Sequence, residues 1–189
     1  AGANGSPSAA IHWPIRRYIA ESNGTMRISG TLACSSSSGT CGDGTIGRIF
    51  VDGTEVFQRA VFNLSVGYSF LLNVTAGSTI DFAIDPGAAD NDFCDTTTFT
   101  ATIRSVSDMG LLADTIGDWS DTGEQGYKGW TYGAFIRTNA ALAYAANRFG
   151  AFPSGAGPHS SDNFWNGEMW QWFDGDPPFG RIGQYTAQP

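Results

Sequence analysis

The strongest constraint on this chain is an apolar period of two. From Met26 to Ala33 the residues Met26, Ile28 and Leu32 alternate with Arg27, Ser29 and Thr31. From Tyr68 to Thr75 the residues Tyr68, Phe70, Leu72 and Val74 alternate with Ser69, Leu71, Asn73 and Thr75. Thr79 to Ile84 turns in Ile80, Phe82 and Ile84, and Thr97 to Arg104 turns in Phe99, Ala101 and Ile103. A strand sends successive side chains to opposite faces, whereas a helix repeats every three to four residues, so each segment reads as a half-buried strand.

The punctuation agrees. Asn23-Gly24 and Asp52-Gly53 supply the positive φ of two-residue hairpin turns, and Ala76-Gly77-Ser78 breaks the next pair. Segments near residues 15, 28, 48, 57, 70, 82 and 100 predict five to seven short strands, an all-β antiparallel sandwich or jelly roll. Helix formers are scarce: the carboxylates are 14 Asp to 4 Glu, Lys128 is the one Lys beside nine Arg, and there are 25 Gly.

The alternation defines a first half, residues 1–106. From about Ser107 to residue 189 the chain becomes rich in Gly and loops, and five of its six Trp lie there, with helical potential confined to Ala140–Arg148. Trp130, Tyr132 and Ala134 alternate as in a strand, and Asn166-Gly167 predicts a hairpin between Trp165 and Trp170. This half is expected to pack on the sandwich of the same copy or of a neighbour.

Charge and hydropathy exclude some partners. A net charge of -8 argues against nucleic acid or an anionic membrane surface, both of which need a basic face. No apolar run approaches the roughly 20 residues of a membrane span, so no membrane insertion is expected. The chain opens on Ala, with neither a charged n-region nor an apolar h-region, as a mature or excised segment would.

Catalytic patterns are absent from the sequence. It has no nucleophile elbow, no HExxH and no phosphate loop, and His12 and His159 lie in polar, Pro-flanked segments, so no catalytic residue is named. Counting strand directions brings the loops 34–44 and 85–95 to one end of the sandwich. That gathers Asp43, Asp85, Asp90, Asp92 and Asp95, a set of oxygens that could hold calcium or simply be solvated turn aspartates. The same end collects Cys34, Cys41 and Cys94, which allow one disulfide and one spare thiol, with Cys34–Cys41, Cys34–Cys94 and Cys41–Cys94 all open, or three buried thiols.

Two further features face outward. Sequons at Asn4, Asn23, Asn63 and Asn73 mildly exceed the one or two that nine Asn and this Ser and Thr content give by chance, which suits either a glycosylated, secreted exterior or simply a β protein rich in Ser and Thr. Trp119, Trp130, Tyr132, Trp165, Trp170 and Trp172 offer faces on which sugar rings stack, although core packing is the favoured account of large rings in a Gly-rich half.

Several strings resemble a β-sandwich module found, often repeated, in large secreted multidomain proteins of environmental bacteria. They are Ile15-Arg-Arg-Tyr18, Arg27-Ile-Ser-Gly-Thr-Leu-Ala33, Gly42-Asp-Gly-Thr-Ile-Gly-Arg-Ile-Phe-Val-Asp-Gly53, Ser78-Thr-Ile-Asp-Phe-Ala-Ile-Asp-Pro-Gly87 and Asp95-Thr-Thr-Thr-Phe99. Gly117-Asp-Trp-Ser120, Gln125-Gly126 and Gly129-Trp-Thr-Tyr-Gly133 continue the likeness. The resemblance implies carbohydrate binding or cell-surface architecture, and no catalytic residue. In modules of this look the Gly-Asp-Trp-Ser half comes first; here it comes second, and joining Ala187-Gln-Pro189 to Ala1-Gly-Ala-Asn-Gly5 restores the order.

The opening Ala1-Gly-Ala-Asn-Gly-Ser-Pro-Ser-Ala-Ala10 lacks the apolar residues to hold itself in place. A neighbouring copy, or the chain's own sandwich edge, is expected to hold it. The reading is therefore a non-catalytic extracellular module, a head-to-tail repeat or subunit of a glycosylated fibre or surface layer, with a carbohydrate-binding module as the alternative.

Overall fold

The computed structural model describes residues 11–34, 43–87, 95–137, 142–152, 164–172 and 179–188. In chain order the strands are β1 (Ile11–Ile19), β2 (Gly24–Cys34), β3 (Thr45–Val51), β4 (Thr54–Val61), β5 (Leu64–Val74), β6 (Thr79–Asp85), β7 (Thr97–Phe99), β8 (Thr102–Ser105) and β9 (Leu111–Asp114). They continue with β10 (Trp130–Arg137), β11 (Phe149–Ala151), β12 (Phe164–Trp165), β13 (Trp170–Trp172), β14 (Phe179–Ile182) and β15 (Thr186–Gln188). All pairings are antiparallel.

Two sheets form a β-sandwich. The first runs β11-β10-β1-β6-β3-β4. The second runs β12-β13-β14-β15-β7-β2-β8-β9, with β5 along the other side of β2. All seven expected segments are strands, the seventh broken into β7 and β8 at Thr100 and Ala101. Both halves of the sequence build both sheets: β10 pairs with β1, β9 with β8, and β15 with β7.

Turn chemistry separates hairpins from corners. Asp52 (φ 49) and Gly53 (φ 83) both take the left-handed region, so β3 and β4 form the expected tight hairpin. Trp165 pairs with Trp170 around a turn in which Asn166 N–H donates to Met169 O at 3.1 Å, as the Asn166-Gly167 pair predicts. Asn23-Gly24 departs from its expectation, because β1 and β2 belong to different sheets. There the chain turns a corner, pinned by Ala20 N–H donating to Ser78 O at 2.9 Å and Gly77 N–H donating to Ala20 O at 2.7 Å. The helical expectation at Ala140–Arg148 also fails over its described part, where Ala146–Arg148 makes a single 3-10 turn.

The core explains the burial of both faces of the first sheet. Between the sheets lie Ile28, Leu32, Ile49, Ile80, Phe82, Phe99, Ile103, Trp130 and Trp170. On the outer face of the first sheet Trp13, Ile15, Phe50, Ala83 and Phe135 form a second cluster, covered by Leu142, Tyr144 and Phe149. Each fully buried side chain of this size contributes about 1.5–3 kcal/mol. A strand covered on both sides must bury whatever it carries, and β1 carries Arg16 and Arg17, one on each face.

The outer arginine is neutralised. Arg17 Nε and Nη2 donate to Asp81 Oδ1 and Oδ2 at 2.6 and 2.8 Å, Tyr144 Oη donates to Asp81 Oδ2 at 2.5 Å, and the guanidinium stands 4.1 Å over the Phe149 ring. Arg48 is held similarly, by Asp85 at 2.8 Å and Glu55 at 2.5 Å.

Candidate functional site

The expected convergence of loops at one end is observed. Asp95 precedes β7, Asp43 and Gly44 precede β3, and Asp85 ends β6; Gly44 N–H donates to Asp95 Oδ1 at 3.1 Å, and Thr45 Oγ1 lies 2.8 Å from Thr97 Oγ1. The same end holds the β4–β5 turn, since Thr45 pairs with Val61 and Cys34 with Leu64. It also holds both described chain ends. β1 starts beside the C-terminal end of β6, and β15 finishes beside the N-terminal end of β7.

The carboxylates there differ in what they have left to offer. Asp85 is spent on Arg48 Nε and on Gly87 N–H at 3.0 Å. Asp43 is exposed. Asp95 is fully buried and its Oδ2 has no partner. Burial pushes the Asp95 carboxyl up, the Gly44 N–H pulls it back, and neighbouring Asp43 pushes it further up. Among the described residues no three potential ligands gather around one point; Asp90 and Asp92 lie outside them.

Cys34 is a free, buried thiol whose Sγ lies 3.8 Å from Asp95 Oδ1. Neither bridge that uses Cys34 is therefore formed, because its thiol points at a carboxylate in the core. Burial and the adjacent Asp95 hold that thiol above its ordinary value, which keeps it protonated and a poor nucleophile. Cys41 and Cys94 lie outside the described residues.

Three of the four sequons are described, and all three asparagines are exposed. Asn23 sits at the corner after β1, where its Oδ1 accepts from Ala76 N–H at 2.8 Å. Asn63, at φ 45, forms the β4–β5 turn. Asn73, near the end of β5, accepts from Thr25 Oγ1 at 2.7 Å. Asn4 lies outside the described residues.

The aromatic candidates lie inside. Trp119, Trp130, Tyr132, Trp165 and Trp170 are between 0% and 7% exposed, so none of the five offers a ring face to a sugar. They pack on one another instead, with Trp119–Tyr132 ring centroids 5.0 Å apart and Tyr132–Trp170 stacked at 5.8 Å. The physical reason is the one foreseen for a Gly-rich half: large rings fill the volume that short side chains leave. Trp172 lies on β13, outside the residues whose side chains are described.

Two features carry no mark in the sequence motifs. One is an open flank: β4 ends the first sheet, β5 edges the second, and both lie on the same side of the sandwich. Between them runs a groove of about 510 Å³ lined by Val56, Phe57, Arg59, Val66, Tyr68 and Phe70. On and beside it Val56, Phe62, Leu64 and Leu71 are 42–52% exposed, and the 11 residues of β5 include no charge and no proline. A long, uncharged edge is the template to which another strand adds.

The other is Arg16, on the inner face of β1 and 3% exposed. Its Nη2 donates to the carbonyls of Gly183, Gln184 (3.2 Å) and Thr186 (3.5 Å) in the β14–β15 turn, which ties the first described strand to the last hairpin. Adjacent arginines on a strand must point to opposite faces, but nothing in the Ile15-Arg-Arg-Tyr18 string says that both faces are buried.

Comparison with family models, with curated proteins and with solved structures finds no match.

Proposed function

We propose that the chain is a non-catalytic, extracellular structural module that assembles head to tail with copies of itself into a fibre or surface layer. The observation that carries this reading is the open flank, where among the described residues β4 and β5 each pair on one side only, beside a groove whose lining includes Val56, Phe57, Val66 and Phe70.

The occupant proposed for the β5 edge is residues 1–10 of the next copy. Ten extended residues span about 33–36 Å, close to the length of an 11-residue strand. In each copy they join β1 at the end where the β4–β5 turn lies. Their small side chains, Ala, Gly and Ser with a single Asn, suit an edge already lined with exposed apolar groups. Pro7 is compatible with an added strand whose outer side stays unpaired. Each copy donates at one place and accepts at another, a heterologous contact that propagates rather than closes.

Two accessories belong to the proposal. Glycans at Asn23, Asn63 and Asn73 would stand in solvent. Calcium at the loop end would be held by Asp43 and the unpartnered Oδ2 of Asp95, both hard oxygen donors, and would offset their repulsion.

Electron microscopy of the purified full chain tests the reading. Filaments are expected, lost on deleting residues 1–10 and on Leu71→Lys, which places a charge beside the edge. Monodisperse particles at every concentration would overturn it.

A further inference from the structure

The core of the sandwich holds a cation, Arg16, for which the described residues supply no counterion. Among the described residues no carboxylate pairs with Arg16, whereas Arg17 pairs with Asp81 and Arg48 with both Asp85 and Glu55. The three carbonyls of the β14–β15 turn take only Nη2; Nη1 is buried with no partner. Burial pulls this guanidinium below its ordinary value, and the nearby hydroxyls of Tyr132 and Tyr68 oppose that.

Other donors near it are equally unserved. Arg16 faces Tyr132 in the β1–β10 register, and Tyr132 Oη is buried without a partner. The two groups are therefore neighbours that do not bond each other. Trp170, stacked on Tyr132 at 5.8 Å, has an unpartnered buried Nε1. Trp119 flanks both, 5.0 Å from the Tyr132 ring and 5.9 Å from the guanidinium carbon. Arg16 Nη1, Tyr132 Oη and Trp170 Nε1 are thus three buried donors without acceptors, on residues linked by the β1–β10 register and by ring contacts.

We propose that this region is a buried binding site for a small inorganic anion of halide size, held by Arg16 Nη1, Tyr132 Oη and Trp170 Nε1. Water could accept the same hydrogen bonds but would leave the charge uncompensated in a low-dielectric core, where an isolated ion is strongly disfavoured. A chloride ion takes up the donors and cancels the charge together. Because the surrounding rings are 0–7% exposed, the ion is enclosed as the sheets close, and it acts on stability.

Binding to the folded state alone makes the folding equilibrium constant rise about tenfold for each tenfold rise in anion concentration above its dissociation constant. The test is urea unfolding of the full chain in bromide or chloride, with gluconate holding ionic strength constant, together with bromine anomalous scattering from crystals grown in bromide. The expected results are a positive halide slope and an anomalous peak beside Arg16 Nη1. Tyr132→Phe, which keeps the ring and removes the hydroxyl, should weaken the slope, and Arg16→Met should abolish it. A flat halide dependence, or ordinary water without anomalous signal at Nη1, would overturn the proposal whether or not Arg16→Met folds.

Discussion

Asp81→Asn should be among the most damaging isosteric changes in this fold. The carboxylate is fully buried and takes three hydrogen bonds, two from Arg17 at 2.6 and 2.8 Å and one from Tyr144 at 2.5 Å. An Asn side chain keeps one acceptor oxygen but turns an amide NH2 toward a donor of Arg17 or Tyr144, leaving a guanidinium unpaired beneath the 142–149 cover. Removing one partner of a buried ion pair costs about 3–5 kcal/mol. The Arg17 side chain keeps 14% of its surface exposed and still reaches Ala146 O at 2.9 Å, so the lower end, about 3 kcal/mol, is expected. For a chain of this length that lowers Tm by roughly 6–12 °C. Urea unfolding of wild type and variant, with an unchanged slope, measures it. A loss below about 1 kcal/mol would refute the reasoning, because it would mean that the pair contributes no more than an exposed salt bridge.

Other perturbations have signs fixed by the same structure. Asp95 is held neutral more readily when folded than when unfolded, so wild-type stability falls as pH rises from its unfolded value of about 3.9 through the higher folded one. In chelator, Asp95→Asn should therefore be the more stable protein at pH 7, with the advantage vanishing below about pH 4 in denaturant titrations. At the alkaline limit burial pushes the Tyr132 phenol up to about 12, with Arg16 pulling it back, and burial pushes Tyr68 and Tyr144 higher still. Stability should thus decline as pH rises above about 10, where unfolded phenols ionise, and the phenolate absorbance of these three buried rings should appear together with unfolding. Gly30→Ala should prevent or severely impair folding, because the new Cβ would sit 1.9 Å from the backbone oxygen of Thr100; a soluble variant with a wild-type Tm would contradict that contact.

The strands were legible because each first-half segment has at least one face whose residues alternate, and the Asp52-Gly53 hairpin because only positive φ suits that turn. Asn23-Gly24 misled because a turn dipeptide does not say whether the next strand returns to the same sheet. Here Gly24 opens a strand of the opposite one. The loop end was reachable by counting strand directions, which antiparallel connections fix. What Asp85 does was not, since its Arg48 partner is 37 residues away in sequence. The aromatic residues could be assigned to no face, because Trp119, Trp165 and Trp170 lie in short irregular strands and loops without period. Arg16 was hidden for the opposite reason: β1 has two buried faces, and a polar residue on such a strand looks like a solvent-facing one.

The central claim is that the β5 edge receives the opening segment of another copy. Amide hydrogen exchange reads that edge directly. On raising the protein concentration, the β5 amides that do not pair with β2 should gain strong protection, and deleting residues 1–10 should return them to rapid exchange with the rest of the sandwich unchanged. Equally rapid exchange at those amides in both proteins at all concentrations would contradict the account.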